Sequence, residues 1–431
     1  MAATKRVKKG DRIAIVGGLR SPFTKSWTTL NTVDPIQLST QVARETLYSL
    51  DLPPEALDHI VWGTVISVPH APNVGREVAL DLGLYTTPAY TVSRACATGF
   101  QAVASAARLI QCGEADVVLA GGVDVVSAAP VPYDKNVIDT LQKAQKARGL
   151  GMVSTLAGVN PLSLVPSAPS IAERYTGKTM GEHAEDMAVY FDIDRADQDA
   201  MAVQSHTNAY AATEAGHATK QIAGISTKKG HVAEDNLIRE TMDPTKLAKL
   251  RPVFDRKHGT ITAATSSPLT DGASCVLLMR ASKAKDLGYT PLAYVNSWHF
   301  PAIDPRENML LGNVYSMPFA LQKAGLTLAD MDVVEIHEAF AAQVLSNVRC
   351  FDDQTFFEEK LGLSTTMGEL DHSKLNLWGG SLAYGHPFAA TGGRMIMNLT
   401  HLLQHVDGTH GIATACAAGG LGAAMVLERA A

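Results

Sequence analysis

Residues 52–62, LPPEALDHIVW, have a counterpart in residues 326–336, LTLADMDVVEI. Each stretch places a leucine, an acidic residue and an aspartate before an apolar run of the kind that is typical of a buried strand. A second pair supports a duplication, because residues 259–281 resemble residues 411–430, and each is a loop followed by a strand of small residues. The sequence therefore predicts two similar halves that pack back to back.

Predicted strands and helices alternate in the first half of the chain, which indicates an α/β fold. The strand patterns cover residues 12–16, 57–66, 89–94 and 115–120, the last of which ends at a Gly-Gly pair. The helix patterns cover residues 35–50 and 97–111. This alternation places the core of a layered sheet within the first 130 residues or so.

The alternation fails between residue 127 and about residue 255, where Pro, Gly and Lys accumulate around two helical patterns at 181–191 and 195–214. We interpret this segment as an inserted loop domain. The predicted boundaries are 1–128 plus 257–288 for the N-terminal half, 129–256 for the loop domain and 289–431 for the C-terminal half.

The composition is that of a globular protein. The 431 residues are 46% apolar and 19% charged, and the net charge of −6 comes from interspersed residues. These values exclude a disordered chain, and the negative net charge gives no positive electrostatic field that would attract a nucleic acid. The five cysteines form no CxxC pair, and an odd number without a signal-peptide pattern indicates a reducing compartment. The most apolar stretch, residues 412–427, falls short of a spanning helix.

Cys96 is the first candidate for catalysis. It follows a predicted strand and precedes the helix pattern ATGFQAVASAARLI, which places its sulfur at a helix N-terminus. Backbone N–H groups at such a position favour a thiolate, so the sequence predicts a nucleophile with a lowered pKa. The alternative is a small core residue, which is the commonest role of a free cysteine.

Two more candidates lie in Gly-rich stretches. His386 precedes Pro387 in GGSLAYGHPFAATGGR, and a proline at the first helical position would hold His386 on a rigid turn. Cys416 lies in TACAAGGLG, where we expect a turn whose residues 417–420 offer backbone N–H donors for an oxyanion. A structural histidine and a packed small residue are the respective alternatives.

A fourth cluster, IHEAFAAQ at residues 336–343, is predicted to run from a strand end into a helix, so that His337 and Glu338 could reach a site above the sheet. It is not a zinc motif, because HExxH requires a histidine where the chain has Ala341. The Gly-rich runs match neither dinucleotide nor P-loop motifs. Basic residues of the loop domain suggest an anion-binding cover, with an ordinary solvated face as the alternative; they are Lys143, Lys146, Arg148, Lys228, Lys229 and Arg239.

These segments resemble, in order, the motifs of the thiolase family: SRACATGFQAV, HEAFAAQ, GGSLAYGHPFAATGGR and TACAAGGLGAAM. The similarity extends from RIAIVGGLRSPF near the start to CAAGGLGAAMVLE near the end. The resemblance implies a thiolase-like α/β fold, in which two duplicated βαβαβαββ halves form a five-layered α-β-α-β-α core with an inserted loop domain. This agrees with the duplication and the insertion.

The HEAF motif replaces the more usual NEAF and resembles the long-chain thiolases that are β subunits of the fatty-acid β-oxidation trifunctional complex. The resemblance implies that Cys96 attacks a 3-ketoacyl-CoA, that His386 takes the thiol proton, and that Cys416 is the general acid and base. It also implies one oxyanion site at His386 and His337 and another at the backbone N–H groups of Cys96 and Ala418, where the family has glycine. Coenzyme A is then a substrate, and neither a tightly bound cofactor nor a metal is expected.

Weaker matches suggest contacts with CoA: Met180 beside the pantetheine, Ser267 near its amides and Arg239 near the adenosine phosphates. Thr265 stands where many relatives carry Asn, so the surrounding loop differs. Residues 150–165 are largely apolar and are expected to shape a groove for medium to long acyl chains. We expect acyl-CoA and CoA as the ligands, and no nucleic acid.

The resemblance also implies at least a homodimer, paired through residues 89–94, and suggests an α2β2 complex with an enoyl-CoA hydratase/3-hydroxyacyl-CoA dehydrogenase subunit. The expected location is the cytoplasm, with mitochondria or another compartment of β-oxidation as the alternative.

Two alternative functions remain. One is an acetyl-CoA acetyltransferase that runs the condensation to acetoacetyl-CoA. The other is a noncatalytic thiolase-fold scaffold that binds lipid, although such a scaffold has no need for two thiols and two histidines together. Ketoacyl synthases and hydroxymethylglutaryl-CoA synthases are disfavoured, because they carry His or Glu where this chain has Cys416.

Overall fold

The computed structural model describes residues 11–157, 159, 163 and 172–430. Its strands are β1 (Ile13–Arg20), β2 (Thr24–Lys25), β3 (His59–Gly63), β4 (Ala89–Val92), β5 (Val117–Val125), β6 (Ile225–Thr227), β7 (Gly230–Val232), β8 (Thr270–Arg280), β9 (Ala293–His299), β10 (Val333–Ile336), β11 (His410–Ala417) and β12 (Leu421–Arg429). Its α-helices are α1 (Pro35–Ser49), α2 (Val74–Asp81), α3 (Thr98–Gln111), α4 (Lys135–Lys146), α5 (Leu150–Ala157), α6 (Met180–Tyr190), α7 (Arg195–Glu214), α8 (Pro244–Leu247), α9 (Ala281–Asp286), α10 (Gly312–Ala324), α11 (Ala341–Cys350), α12 (Gln354–Phe356), α13 (Ser381–Tyr384) and α14 (Ala389–His405).

The main sheet of the described residues has the order β10-β11-β12-β9-β1-β8-β5-β3-β4, with β2 paired to β8. In the N-terminal half β3 is parallel to β4 and β5, whereas β8 is antiparallel to β5 and β1. In the C-terminal half β10 is parallel to β11, and β12 is antiparallel to β11 and β9. A short antiparallel pairing of β1 with β9 joins the two halves.

The helices and the half-sheets form the five layers that the thiolase resemblance implies. Helices α1 and α2 cover the outer face of the N-terminal half-sheet, and α10 covers the outer face of the C-terminal one. Helices α3 and α14 lie between them, where α3 packs mainly on β5 and β3, and α14 packs on strands of both halves. Alternate residues of each strand supply the two faces, so that Val118 belongs to the central core and Val117 to an outer one. The expected thiolase-like α/β fold is confirmed.

The duplicated sequence forms the same local structure twice. A short 3₁₀ turn precedes β3 at Pro54–Ala56, and another precedes β10 at Leu328–Asp330. The aspartate that the two copies share makes the same hydrogen bonds in both. Asp58 accepts hydrogen bonds from the N–H groups at the start of β5, and Asp332 accepts from those at the start of β11. Each carboxylate therefore holds two neighbouring strands in register.

Small residues let the two central helices touch at their N-terminal ends. A Cβ on Gly99 of α3 would lie 2.7 Å from the carbonyl oxygen of Ala389, and a Cβ on Gly392 of α14 would lie 2.5 Å from the backbone nitrogen of Phe100. No larger residue fits such a contact without displacing backbone. The loops that precede these helices, which carry Cys96 and His386, are consequently brought together.

The structure corrects one predicted strand end. Strand β5 does not stop at the Gly-Gly pair after residue 120 but continues to Val125. The pair lies inside the strand because α14 begins directly above it, and a Cβ on Gly122 would lie 2.3 Å from the carbonyl oxygen of Ala389. A Cβ on Gly121 would lie 2.3 Å from the ring of Trp62, so the two glycines mark close contacts with α14 and with Trp62 rather than a turn.

The inserted segment is largely helical in its described part, with α4 to α8 and the β6–β7 hairpin. A buried ion pair between Arg20 and Asp235, at 2.7 Å, ties it to β1. The predicted acyl groove at 150–165 begins at α5, whose residues are exposed or half-buried, and most of its later residues lie outside the described part of the chain. No helix of the described residues is both long and apolar enough to cross a membrane.

Candidate active site

Cys96 lies on a tight turn between β4 and α3. The residue before it, Ala95, has a φ of 45°, a left-handed conformation that is uncommon for residues other than glycine. Thr98 closes the turn, because its hydroxyl donates to the Ala95 carbonyl oxygen at 2.6 Å and accepts from the Arg94 N–H at 2.7 Å. Such strained positions concentrate at functional sites, where the surrounding structure maintains them. The helix begins at Thr98, so Cys96 stands at its N-terminal end as predicted.

The expectation of a lowered Cys96 pKa is wrong for the free protein. Burial raises the pKa of Cys96 to about 11, and hydrogen bonds from the backbone N–H groups of Ala418 and of Cys96 itself oppose this increase only in part. The loss of water around a thiolate outweighs the few dipoles aimed at it. Cys96 is therefore a thiol in the resting protein and needs a base to become a nucleophile.

This raised pKa predicts how Cys96 alkylation by iodoacetamide depends on pH. The thiolate reacts, and well below a pKa of about 11 its fraction rises tenfold for each pH unit. We expect the rate constant at Cys96 to increase about tenfold per unit from pH 7 to 9.5. The measurement uses peptide mass spectrometry in a Cys112→Ala background, since Cys112 is exposed and would react first. A plateau above pH 7.5 would instead reveal a thiolate stabilised by the helix.

The sequence predicts a turn at Cys416, but the structure places Cys416 as the penultimate residue of β11. The turn follows at residues 418–420, because β11 extends to pair fully with β12 and places Cys416 opposite Gly422. The side chain is buried, and burial followed by the neighbouring Cys96 raises the pKa of Cys416 far above its usual range. The charge coupling places the two sulfurs in one site. Cys416 is therefore a protonated thiol beside the candidate nucleophile.

His386 lies just before α14, but Pro387 is not the first helical residue. The helix begins at Ala389 after Phe388, whose φ is 24°. Asp124 holds this start by accepting from the Ala389 N–H at 2.8 Å, and the same carboxylate accepts from the N–H groups of Val65 and Ile66. The carboxylate, rather than the proline, fixes the turn that positions His386.

The His386 imidazole is buried and neutral. Its Nδ1 lies 2.6 Å from the hydroxyl of Thr391, and its Nε2 has no hydrogen-bond partner in the described residues. Burial, followed by the positive charge of Arg394, lowers the pKa of His386 to about 3. If Nδ1 donates to Thr391, Nε2 carries a lone pair that can accept a proton from a thiol.

His337 faces His386 across the site. Its ring centroid lies 4.2 Å from that of His386, and its Nε2 is also without a partner in the described part of the chain. Its backbone N–H donates to the Thr414 carbonyl oxygen at 2.9 Å, because β10 and β11 are parallel and end at the same edge of the sheet. This edge is where the carboxyl ends of parallel strands commonly present ligand-binding residues. The strand pairing thus places His337 close to Cys416.

Glu338 lies on the same segment as His337 but acts on the surrounding loop. Its carboxylate accepts from the hydroxyl of Ser205 at 2.7 Å, from the amide of Asn376 at 2.6 Å and from the N–H of Leu382 at 3.1 Å. These contacts connect α7 of the loop domain to the segment that leads to α13. The role of Glu338 is to order that segment.

The predicted CoA contacts are placed unequally. Ser267 adjoins the site, because its N–H donates to the Ala339 carbonyl oxygen at 2.9 Å. Met180 begins α6 and packs on the outer core of the C-terminal half. Arg239 is exposed, and its N–H donates to His206 Nδ1 at 3.1 Å. Within the described residues no hydrogen bond links Met180 or Arg239 to Cys96, Cys416 or the two histidines.

The structure adds supporting residues that the sequence interpretation missed. Ser381, Thr391 and Arg394 lie within the quoted stretch GGSLAYGHPFAATGGR, and Asp124 follows the Gly-Gly pair of β5. The feature of the sequence that could have identified them is a polar side chain among small residues in an otherwise apolar stretch. Across the described ranges, no group of three or more His, Cys, Asp or Glu side chains is arranged to hold a metal ion.

Comparison with known proteins agrees with this fold. The sequence profile of the thiolase N-terminal domain matches residues 13–282, and that of the thiolase C-terminal domain matches residues 289–429. The chain is 48% identical over 423 residues to a 3-ketoacyl-CoA thiolase of Colwellia psychrerythraea, with 97% of each chain covered. It is also 48% identical over 425 residues to a 3-ketoacyl-CoA thiolase of Yersinia pestis, with 98% of each covered.

Solved structures give the same result. Human mitochondrial 3-ketoacyl-CoA thiolase in complex with CoA has a TM-score of 0.83 at 31% identity, with 97% of this chain and 98% of that chain covered. The Bacillus anthracis acetyl-CoA acetyltransferase has a TM-score of 0.81 at 30% identity, with coverages of 97% and 99%. The fold and the paired thiols define an acyl-transferring enzyme. The chain belongs to the thiolase family.

Proposed function

We propose that this chain is a 3-ketoacyl-CoA thiolase, an acetyl-CoA C-acyltransferase that uses CoA to cleave 3-ketoacyl-CoA into acetyl-CoA and an acyl-CoA shortened by two carbons. The observation that carries the proposal is one site with two thiols, the half-buried Cys96 and the buried Cys416, and two buried imidazoles whose Nε2 atoms have no partner among the described residues. The relatives named 3-ketoacyl-CoA thiolase at nearly half identity over the whole chain support the same reaction.

In the first half-reaction, the Nε2 atom of His386 takes the proton from Cys96, and the thiolate attacks C3 of the substrate. The resulting alkoxide collapses, the C2–C3 bond breaks, and its electron pair leaves on the acetyl-CoA enolate. Cys416 donates its proton to C2 of the enolate, and acetyl-CoA departs. The acyl group remains on Cys96 as a thioester.

In the second half-reaction, the Cys416 thiolate takes the proton of CoA, and the CoA sulfur attacks the carbonyl carbon of the acyl-Cys96 thioester. Cys96 leaves as a thiolate and recovers its proton from His386. The high pKa of Cys416 suits both steps, because such a thiol stays protonated until an enolate accepts its proton, and its thiolate is then a strong base. The acyl-enzyme is a thioester, like the substrate and both products, so the second half-reaction transfers the acyl group between thioesters of similar energy.

Two oxyanions require donors in this scheme. We assign one of them to the Nε2 atoms of His337 and His386, which have no partner in the described part of the chain. The backbone N–H groups of Cys96 and Ala418, which hydrogen-bond the Cys96 sulfur in the free protein, serve the other. The contact at Ala418 is a main-chain one, so alanine can replace the family's glycine there. Donors that are already in place when the charge develops provide much of the stabilisation of a transition state.

We predict that His337→Ala lowers kcat by about 10²-fold, which is the usual cost of removing one oxyanion donor. His337→Asn should recover part of this loss, because an amide N–H can also donate. Steady-state thiolysis of both variants, with folding checked by circular dichroism, makes the comparison. An Ala variant within twofold of the wild type would mean that His337 only packs at the strand end.

The thiolysis assay with 3-ketoacyl-CoA substrates of four to sixteen carbons tests the proposed function. We expect CoA-dependent cleavage, with the highest kcat/KM at medium to long chains. Met180, Ser267 and Arg239 remain proposed CoA contacts, and Ser267, which adjoins the site, is the best supported of the three. Activity confined to the four-carbon substrate would favour the acetyl-CoA acetyltransferase alternative, to which the similarity with the Bacillus anthracis enzyme also points.

We also propose that two copies of the chain associate through β4, which is an edge strand of the described sheet and so has a strand neighbour on one side only. We predict that light scattering under assay conditions gives the mass of at least two chains. A monomer that retains full activity would reject this proposal. An α2β2 complex with a hydratase/dehydrogenase subunit is a further expectation, and co-purification of such a subunit with the tagged chain tests it.

A cytoplasmic location is proposed as well. All five cysteines are free thiols, which suits a reducing compartment. Fractionation of the source cells, with antibody detection of the chain, tests this proposal against an organellar location.

A further inference from the structure

Arg394, Ser381 and His337 form a chain of buried side chains behind the candidate site. A terminal nitrogen of Arg394 lies 3.2 Å from Ser381 Oγ, and Ser381 Oγ lies 2.9 Å from His337 Nδ1. Ser381 and His337 have no exposed surface, and Arg394 is 1% exposed. No bulk water competes for these contacts, so the hydrogens must be shared among the three side chains.

The direction of the hydrogen bonds follows from the donor Arg394. A guanidinium group has only N–H donors, so Ser381 Oγ accepts from Arg394 and keeps its own hydrogen for a second partner. Within the described residues, the acceptor that lies within hydrogen-bond distance of this hydroxyl is His337 Nδ1. His337 Nδ1 is then unprotonated, and the proton of the neutral imidazole is on Nε2.

Nε2 of His337 is buried and has no partner among the described residues. Buried polar groups without a partner are rare in folded proteins, and one that is aimed at a reaction site indicates a partner supplied by the substrate. Burial, followed by the neighbouring His386 and then Arg394, lowers the pKa of His337 well below its usual range and so disfavours a second proton. The imidazole is therefore a neutral donor.

We propose that Ser381 is a positioning residue that, together with Arg394, holds His337 in the Nε2–H form, so that this imidazole donates a hydrogen bond to a substrate oxygen. His386 differs, because its Nδ1 contacts the Thr391 hydroxyl, which receives no arginine hydrogen bond among the described residues and so can accept from Nδ1–H and leave His386 Nε2 as a base. In the resting protein the two facing rings thus present opposite groups, a donor at Nε2 of His337 and an acceptor at Nε2 of His386, and the latter becomes a donor once it has taken the Cys96 proton. The tautomer rests on the geometry alone, whereas its use in catalysis rests on the proposed function.

Nitrogen NMR of protein labelled with ¹⁵N-histidine measures the tautomer directly, because protonated and unprotonated ring nitrogens have separate shifts. The signals of His337 are assigned by their absence in His337→Asn. We expect wild-type His337 at pH 7 to carry its proton on Nε2, and Ser381→Ala to mix the two tautomers. An Nδ1–H imidazole or an imidazolium in the wild type would overturn the proposal, and this test requires no variant at 381 to fold.

A kinetic cycle tests whether Ser381 acts through His337. Ser381→Ala should lower kcat for thiolysis by about tenfold in the wild-type background, less than the loss of the donor itself, and by less than twofold in a His337→Ala background. Equal losses in both backgrounds would indicate a general structural role. The matched control is Ser297→Ala, since Ser297 is also buried but donates to the Ala320 carbonyl oxygen at 2.6 Å, and it should leave kcat within twofold. A wild type without thiolysis would refute the proposed function but leave the NMR result valid.

Discussion

Replacement of Cys96 by alanine is expected to lower thiolysis by at least about 10⁴-fold, the scale of loss that follows removal of a nucleophile. No other thiol can take over the attack. Cys416 is held within β11, and burial keeps its proton in place, so it cannot become the acyl carrier without moving the strand. Steady-state assays with 3-ketodecanoyl-CoA and CoA measure the loss.

Cys112→Ala is the control for Cys96→Ala. Cys112 lies directly after the end of α3, the helix that Cys96 precedes, so the whole 14-residue helix separates the two thiols, and Cys112 is exposed. This variant should keep wild-type kcat and should unfold at the same urea concentration. Thiolysis by Cys96→Ala within tenfold of the wild type would remove Cys96 from the mechanism.

Cys416→Ala is expected to lower thiolysis by about 10³-fold, within the range for loss of a general acid and base. It should also stop the exchange of the methyl hydrogens of acetyl-CoA with deuterium oxide, because that exchange needs a base at C2. Burial keeps most of the Cys416 thiol protonated in the resting protein, so the exchange proceeds through the small fraction that is thiolate. Mass spectrometry of acetyl-CoA measures the exchange separately from carbon–carbon cleavage.

Cys350→Ala provides the matched control for Cys416→Ala. Cys350 is another buried cysteine, at the end of α11, where it packs in the outer core of the C-terminal half. It removes one buried thiol without touching the site, so deuterium exchange should persist. Exchange by Cys416→Ala within tenfold of the wild type would assign the proton transfer to another residue.

Much of the fold could be predicted from the sequence because the duplication repeats whole structural units. The aspartates of the two copies, Asp58 and Asp332, each cap a neighbouring strand, so the same residue at matching positions makes the same contact in both halves. The Gly-Gly pair of β5 was wrongly interpreted as the end of the strand, because glycine is required both in a turn and at a close contact with a helix such as α14. Local sequence does not distinguish them, because the α14 residue that makes the contact, Ala389, lies far along the chain.

The candidate site was predictable as a set of residues but not as an electrostatic environment. The position of Cys96 before a helix suggested a lowered pKa, whereas burial by residues distant in sequence raises it to about 11. The turn at His386 was attributed to Pro387, but the carboxylate of Asp124 on another strand fixes it. Desolvation and long-range hydrogen bonds depend on the assembled fold, so no local pattern reports them.

The central claim is that a 3-ketoacyl-CoA leaves its acyl group on Cys96. The direct test is to mix the protein with 3-ketodecanoyl-CoA in the absence of CoA, quench with acid, digest, and analyse the peptides by mass spectrometry. The account predicts one octanoyl group on the peptide that contains Cys96, released as octanoyl-CoA when CoA is added before the quench. An octanoyl group on any other residue, or cleavage of the substrate without an acylated peptide, would contradict it.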